Sequence, residues 1–334
     1  MRKLGPSTTN ILVLTVAMLG IGCLGAYFYL SDGLSKRYGV LQFEQSMLEY
    51  QNKLEQFKFA LKRVATSTCI ETFPAGGWCT YSKDTMPTAA LIGDSHAQHF
   101  FPGLAKSFDR VNHNLALLGN AGCPPVLDIH SLDGRSADWC ANNGNAFIRN
   151  VATNNNIKIV IMAANWHLYV VGKRFADKSK TSPYWKIRST SNDATGDSQA
   201  VLLRQLERTI ELLLKHKKEI FFLKQVPELD LDPRSCIKRP RSFTFSVDCQ
   251  VARRRIDAYT TAYFGVVKQV LSKYPAVRII DLVPQLCDEH FCPVFIEERA
   301  LYRDLVHLSL FGSYYLGDWL TKSIFLDEIQ SKYR

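Results

Sequence analysis

Two short strings in this sequence carry residues able to do covalent chemistry. The first is Leu91-Ile92-Gly93-Asp94-Ser95-His96-Ala97. A serine that follows a buried apolar strand and a glycine, and that opens a helix, sits on a tight strand-to-helix turn. The turn exposes its hydroxyl at the sheet edge. The helix N-terminus behind it offers backbone N–H groups to a developing oxyanion. The plainer reading is a helix cap, because Asp and Ser are both good N-caps. The second string is Asp304-Leu305-Val306-His307-Leu308-Ser309. An Asp and a His three residues apart can face one side of a turn. The carboxylate then accepts from one imidazole nitrogen while the other nitrogen reaches a serine. Together the strings describe acyl transfer, with Ser95 as nucleophile, His307 as base and Asp304 as orienting acid. Read alone, the second string is a capping Asp and a surface His. Asp94 is expected to cap the helix and point away from the site. His96 neighbours Ser95 on a tight turn, so its side chain should diverge from it. No metal-ligand spacing stands out, and serine chemistry needs no metal.

The elements that must position these residues alternate along the chain. Thr88–Ile92, Leu115–Leu118, Ile157–Ala163, Glu219–Leu223 and Val277–Leu282 read as apolar strands. Ala97–Phe108, Asn145–Asn154, Val201–His216, Val251–Lys273 and Leu310–Phe325 have helical periodicity. Strands separated by helices imply an α/β fold, a parallel sheet covered on both faces, with its site at the carboxyl ends of the strands. The polar stretches Gly172–Ser198 and Glu228–Gln250 read as long loops near that site.

The chain has 334 residues, 46% of them hydrophobic and 22% charged, which fits a globular protein and excludes bulk disorder. A net charge of +10 raises nucleic acid as a partner. The basic residues are scattered, however, and no zinc-finger, RRM or basic heptad spacing occurs. An anionic glycan or a lipid surface fits the charge at least as well. Arg174, Arg234, Lys238, Arg239 and Arg241 in the long loops are candidates to meet such a glycan, although solvated loop charge is the commoner role of such residues.

Ile11–Leu30 is an uncharged apolar run, long enough as a helix to span a bilayer core, which takes about 20 residues. Arg2 and Lys3 precede it and favour an N-in orientation. A cleaved signal peptide would need a small-x-small site, which is not evident. A lipoprotein signal at Cys23 would want Leu where Gly20 stands. The expected organisation is a membrane anchor over 1–33, a juxtamembrane amphipathic helix over 34–66 and a catalytic domain over 67–334. In the middle segment Leu41, Met47, Leu48, Leu54, Phe57, Leu61 and Val64 recur near helical spacing.

Nine cysteines are present, and Cys23 lies inside the apolar run. The other eight fall as local couples: Cys69 with Cys79, Cys123 with Cys140, Cys236 with Cys249, and Cys287 with Cys292. Eight cysteines allow about 105 connectivities. Nearest-neighbour pairing would staple four Pro/Gly/polar loops and places the domain in an oxidising compartment. Buried free thiols and a zinc site are the alternatives, but no CxxC occurs.

GDSHA at Gly93–Ala97 and DLVHLS at Asp304–Ser309 resemble the SGNH hydrolase superfamily. GCPP at Gly122–Pro125, Asn165-Trp166 before Tyr169, the paired cysteines and Phe311-Gly312 extend the resemblance over about Cys69–Phe325. They make it similar to the SGNH domain fused to acyltransferase family three membrane proteins, which O-acetylate bacterial surface polysaccharides such as lipopolysaccharide O-antigen. The resemblance implies a three-layer α/β/α sandwich with a central parallel sheet, preceded here by one transmembrane helix. It implies Ser95, His307 and Asp304 in the triad. It also implies an oxyanion hole from the Ser95 N–H, a glycine N–H (Gly122, or Gly119) and the side chain of Asn165. The usual GxND string reads AANW in this chain. Trp166 and His167 become candidates to line the substrate pocket.

The function implied is an extracytoplasmic O-acyltransferase, with acetyl as the expected group, on a cell-surface polysaccharide. The alternatives are a carbohydrate O-acetylesterase using the same triad and an inactive glycan-binding or scaffold domain. No bound cofactor is expected. The acetyl donor would derive from acetyl-CoA through a multi-helix membrane acyltransferase partner. The expected location is the bacterial inner membrane, single-pass, with the catalytic domain in the periplasm.

Overall fold

The computed structural model describes residues 8–31, 33, 69, 71–73, 77–131, 137–175, 186–190, 197–236, 249–297 and 299–325. The amphipathic segment expected over 34–66 lies outside them, as do Lys238, Arg239 and Arg241. The chain divides into two units. One contains helix α1, Thr8–Leu30, which is exposed along its length and carries no charged residue. Its Thr9–Leu30 stretch has a mean hydropathy of 2.2, long and apolar enough to cross a membrane.

The other unit is built on a six-stranded sheet. Its strands are β1 (Trp78–Tyr81), β2 (Ala89–Gly93), β3 (Leu115–Gly119), β5 (Ile159–Ala163), β7 (Glu219–Leu223) and β9 (Val277–Ile280), in the order β1-β3-β2-β5-β7-β9. The five strands β3, β2, β5, β7 and β9 are parallel. Strands β2, β3 and β5 are continuous apolar runs because both their faces are covered, which removes the alternation a half-exposed sheet would show, whereas edge strand β9 carries Arg278 and an exposed Ile279. Ala90, Ile92, Val160, Met162 and Phe222 face one core. That core includes residues of α3 (Asn145–Thr153), α5 (Ser198–Lys215) and α6 (Arg253–Leu271). Leu91, Leu115, Leu117, Ile161 and Phe221 face the other. The second core includes residues of α2 (Ser95–Arg110) and α8 (Leu310–Ile324).

The sheet is mixed rather than purely parallel. Edge strand β1 runs antiparallel to β3, with Trp78 opposite Gly119 and Tyr81 opposite Ala116. An antiparallel strand needs no crossover helix, so a short segment just before β2 can cap the sheet edge. The Cys69–Cys79 disulfide ties this strand to the preceding segment.

Helices α2 and α8 pack at backbone contact. A Cβ on Gly103 would lie 1.9 Å from the Ser313 carbonyl oxygen, and one on Gly317 would lie 2.4 Å from the Gly103 carbonyl carbon. The buried Ser107 hydroxyl donates to the Gly317 carbonyl at 2.9 Å, and Ser313 Oγ accepts from the Gly103 N–H at 3.0 Å. Small residues therefore set the distance between the helix that begins at Ser95 and the helix that follows His307.

The two long polar stretches are not wholly irregular. Ile187–Ser189 (β6) pairs antiparallel with Ile129–Ser131 (β4). The expected helix over Val251–Lys273 begins at Arg253, because Gln250–Ala252 (β8) pairs with Phe291–Pro293 (β10) instead. A short helix absent from the sequence reading, α4, spans Trp166–Val171. The couples Cys69–Cys79, Cys123–Cys140, Cys236–Cys249 and Cys287–Cys292 are disulfides in the structure, with Cα separations of 5.7, 5.6, 5.4 and 4.1 Å.

Candidate active site

Strand order reverses around β2, with β3 on one side and β5 on the other, so the crevice of this open sheet lies at the carboxyl end of β2. Ser95 stands there. Gly93 has φ +155, and a Cβ on it would lie 1.8 Å from the Ala163 carbonyl oxygen of β5. A Cβ on Gly119, opposite Gly93 in β3, would lie 1.8 Å from the Gly93 carbonyl oxygen. Only glycine fits at both places, so three strand ends crowd together and the chain turns sharply into α2. Asp94 N-caps that helix, its side chain accepting from the His96 N–H at 2.8 Å, and Ser95 is its first residue.

His307 lies on the turn before α8, whose N-cap is Ser309. The Asp304 Oδ1 accepts the N–H groups of Val306 and His307 at 2.9 and 2.8 Å, which closes the DxxH turn on itself. His307 Nδ1 lies 2.9 Å from Asp304 Oδ2, and His307 Nε2 lies 2.7 Å from Ser95 Oγ. Burial alone would raise the Asp304 carboxyl. The hydrogen bond and charge of His307 and the two backbone N–H groups outweigh it and hold this carboxyl well below the usual range. An ionised Asp304 favours a proton on Nδ1, which leaves Nε2 as acceptor for the serine proton. The arrangement can therefore activate a hydroxyl for attack on an acyl carbonyl.

Asp94 does more than cap. It is fully buried, and its Oδ2 also accepts the Asn165 N–H at 3.0 Å and the Tyr169 hydroxyl at 2.7 Å. Burial raises its pKa against those bonds. Asp94 thus joins the nucleophile turn to the segment after β5. Asn165 lies in that segment, also buried. Its Oδ1 accepts the Leu168 N–H at 3.1 Å and caps α4, while its Nδ2 donates to Glu228 Oε1 at 3.3 Å. Gly119 ends β3 beside Gly93, and Gly122 occupies a left-handed turn position beyond it, with φ 71.

His96 does not compete for the serine proton. It is buried, and neither ring nitrogen has a hydrogen-bond partner. Its ring packs 4.9 Å from His99 and 5.2 Å from His307. Burial, then the nearby His307, lowers the pKa of His96 far below its usual value, so it is a neutral ring packed beside His307. His99 is held neutral in the same way.

Trp166 and His167, the residues expected to line a pocket, are both buried. Capping by Asn165 turns the start of α4 onto the sheet. Trp166 is fully buried, stacks on Phe222 at 4.5 Å and donates its indole N–H to the Leu223 carbonyl. His167 stacks on Tyr259 at 4.0 Å, and burial lowers its pKa to about 4. Arg174 is exposed. Sequence reasoning missed Glu228, Gln225 and Tyr259, the polar groups beneath Asn165. Glu228 did carry a signal: it is an acid inside the apolar string Val226–Leu229, just past a buried strand. Among the described residues no group of three or more His, Cys, Asp or Glu is arranged to hold a metal.

Solved structures of low sequence identity show a partial likeness to the chain. The periplasmic domain of the Salmonella ser. Paratyphi A lipopolysaccharide acetyltransferase is 17% identical, over 73% of this chain and 85% of that one, with a TM-score of 0.49. A GDSL-like lipase from Bacteroides thetaiotaomicron is 11% identical, over 71% of this chain and 86% of that one, with a TM-score of 0.37. No curated protein matches the sequence. The profile of the family described as "SGNH domain (fused to AT3 domains)" matches residues 66–322, a span that takes in both Ser95 and His307. By that match the chain belongs to the family of SGNH domains fused to AT3 domains.

Proposed function

We propose that this protein is a serine-dependent O-acyltransferase, with acetyl as the group moved, acting outside the cytoplasm on a cell-surface polysaccharide. The observation that carries the reading is the contact of Ser95 Oγ with His307 Nε2 at 2.7 Å, with Asp304 on the far imidazole nitrogen. Ser95 Oγ attacks the acyl carbonyl as His307 Nε2 takes its proton. The oxyanion is met by the Ser95 N–H at the start of α2, by the Asn165 side-chain amide and by a glycine N–H at the end of β3 or beyond it, at Gly119 or Gly122. Collapse expels the donor's leaving group, which carries off the proton from His307. Ser95 is left as an ester. A sugar hydroxyl then gives its proton to His307 and attacks that ester. The acylated sugar leaves, and the proton returns to Ser95.

Residues 1–33 would anchor the protein in the membrane, 34–66 would form a juxtamembrane helix and 67–334 the catalytic domain in the periplasm. The family name, with its AT3 domains, supports a membrane acyltransferase partner. That partner would deliver acetyl derived from cytosolic acetyl-CoA. The net charge of +10 supports an anionic glycan as acceptor.

Transfer and hydrolysis share the acyl-enzyme and differ in what resolves it. A bound, oriented sugar hydroxyl can win against water by proximity. The full chain in detergent should hydrolyse a small activated acetyl ester slowly. Adding the surface polysaccharide of the source organism should divert acetyl to sugar, and loss of the gene should lower acetylation of that polysaccharide. If loss of the gene raises acetylation, and the purified chain strips acetyl without ever forming acetylated glycan, the protein is the esterase.

A further inference from the structure

Glu228 is a wholly buried carboxyl that takes no part in the triad. It lies on the segment that follows β7, at the carboxyl end of the sheet. The next residue, Leu229, donates its N–H to the Leu305 carbonyl at 2.8 Å, within the turn that holds Asp304 and His307. A buried carboxyl is costly unless its oxygens are matched by donors. Here they are. Oε1 accepts from Asn165 Nδ2 and from Gln225 Nε2, each at 3.3 Å, and Oε2 accepts the Phe175 N–H at 2.7 Å. Gln225 Nε2 also donates to the Tyr259 hydroxyl.

Core packing alone does not ask for this group, because a well-packed apolar side chain is often as stable as a buried ion with its partners. What the carboxyl does is fix one amide. Asn165 Oδ1 is committed to the Leu168 N–H, so its Nδ2 must face the other way, and Glu228 Oε1 lies there. The backbone of Asn165 is fixed separately by Asp94. Nδ2 carries two hydrogens. With one on the carboxylate, the plane of the amide sets the direction of the second.

We infer that Glu228 is a positioning residue for acyl transfer: it locks the Asn165 amide so that its second N–H is presented to the oxyanion, and through Phe175 it ties the start of the loop after α4 to that donor. This rests on the reading of Asn165 as an oxyanion donor. Glu228→Gln is the sharpest probe. A glutamine has one acceptor oxygen, so it can serve Asn165 or Phe175 but not both.

The test measures steady-state hydrolysis of an activated acetyl ester by the full chain in detergent, for Glu228→Gln, Asn165→Ala, the double variant and Ser95→Ala. Asn165→Ala should lower kcat by about 10²–10³-fold. Glu228→Gln should lower kcat by about tenfold or more with KM nearly unchanged. In the Asn165→Ala background the same substitution should change kcat by less than about twofold, since a residue that acts only through another loses its effect with it. A merely structural role would give the same loss in both backgrounds, and that result overturns the inference, as does full activity in Glu228→Gln. If Glu228→Gln does not fold, Glu228→Asp replaces it; the shortened side chain keeps both acceptors but retracts from Asn165, and the same vanishing loss is expected. If Asn165→Ala retains full kcat while Ser95→Ala is dead, the oxyanion reading fails and takes this inference with it, leaving the serine mechanism standing. If Ser95→Ala is active, the proposed function itself is wrong.

Discussion

Both ring nitrogens of His307 are committed, Nε2 to the Ser95 hydroxyl at 2.7 Å and Nδ1 to the Asp304 carboxylate at 2.9 Å. Asp304→Asn tests what the carboxylate contributes. The turn keeps an oxygen on the backbone N–H groups of Val306 and His307, so the new NH2 faces Nδ1. Nδ1 must then accept, the ring proton moves to Nε2, and the base can no longer take the serine proton. Ester turnover should fall by as much as roughly 10⁴-fold while the melting temperature changes little. A second prediction concerns pH. His167 is held neutral by burial, with its pKa lowered to about 4. Unfolding returns it to about 6.5, so below that pH the unfolded chain binds a proton that the folded chain refuses. Its contribution therefore makes stability fall as pH drops from about 6.5 to about 4. The buried Asp94 and Glu228, with raised pKa values, act in the opposite direction. The histidine is thus read by difference: His167→Phe should lose less melting temperature than the parent over that range, and an equal loss would contradict the assignment. At this scale the sequence shows the residues that act within one short string. Ser95 is marked by its turn, and Asp304 with His307 by spacing. Glu228 is not marked in this way, because its partners Asn165 and Phe175 come from other segments that meet it only in the fold.

Helices α2 and α8 carry the Ser95–His307 contact between them: Ser95 opens one, and His307 sits just before the other. Their separation is set by Gly103 and Gly317. Gly103→Val would drive the helices apart against the Ser313 backbone. It should destabilise the protein by roughly 1–3 kcal/mol, and by disturbing the Ser95–His307 distance it should lower kcat more than KM rises. Thermal melting and ester kinetics on one preparation decide this; unchanged stability would show that the close approach is not needed. The sequence made the five parallel strands readable because β2, β3 and β5 are compact apolar runs buried on two faces, and β7 and β9 are largely apolar runs standing between helical segments. It hid β1, β4, β6, β8 and β10. These are strands of three or four residues in polar surroundings, and pairing with distant partners and nearby disulfides defines them rather than any local pattern. Helix α4 was hidden for a related reason, since six residues are too few for periodicity to show. Its N-cap at Asn165 also explains why Trp166 and His167 turn into the protein.

At the scale of the whole molecule, α1 and the four disulfides bear on the same question of location. A helix with the length and hydropathy to cross a membrane, followed by cysteines bonded in local couples, points to an oxidising compartment for the domain. A C-terminal reporter that works only in the periplasm should be active. Activity of a cytosol-only reporter at the same position would contradict the anchor and the disulfides together. Net positive charge and an apolar N-terminal run were legible from composition. The central claim is that Ser95 carries the acyl group in transit. The full chain in detergent can be mixed with a labelled activated acetyl ester, quenched in acid within the first turnover and digested, and the label located by mass spectrometry. Acetyl is expected on the peptide containing Ser95, lost on incubation at neutral pH and absent in Ser95→Ala. Turnover of the ester by Ser95→Ala at the parent rate, with no acetylated Ser95 in the parent, would contradict it.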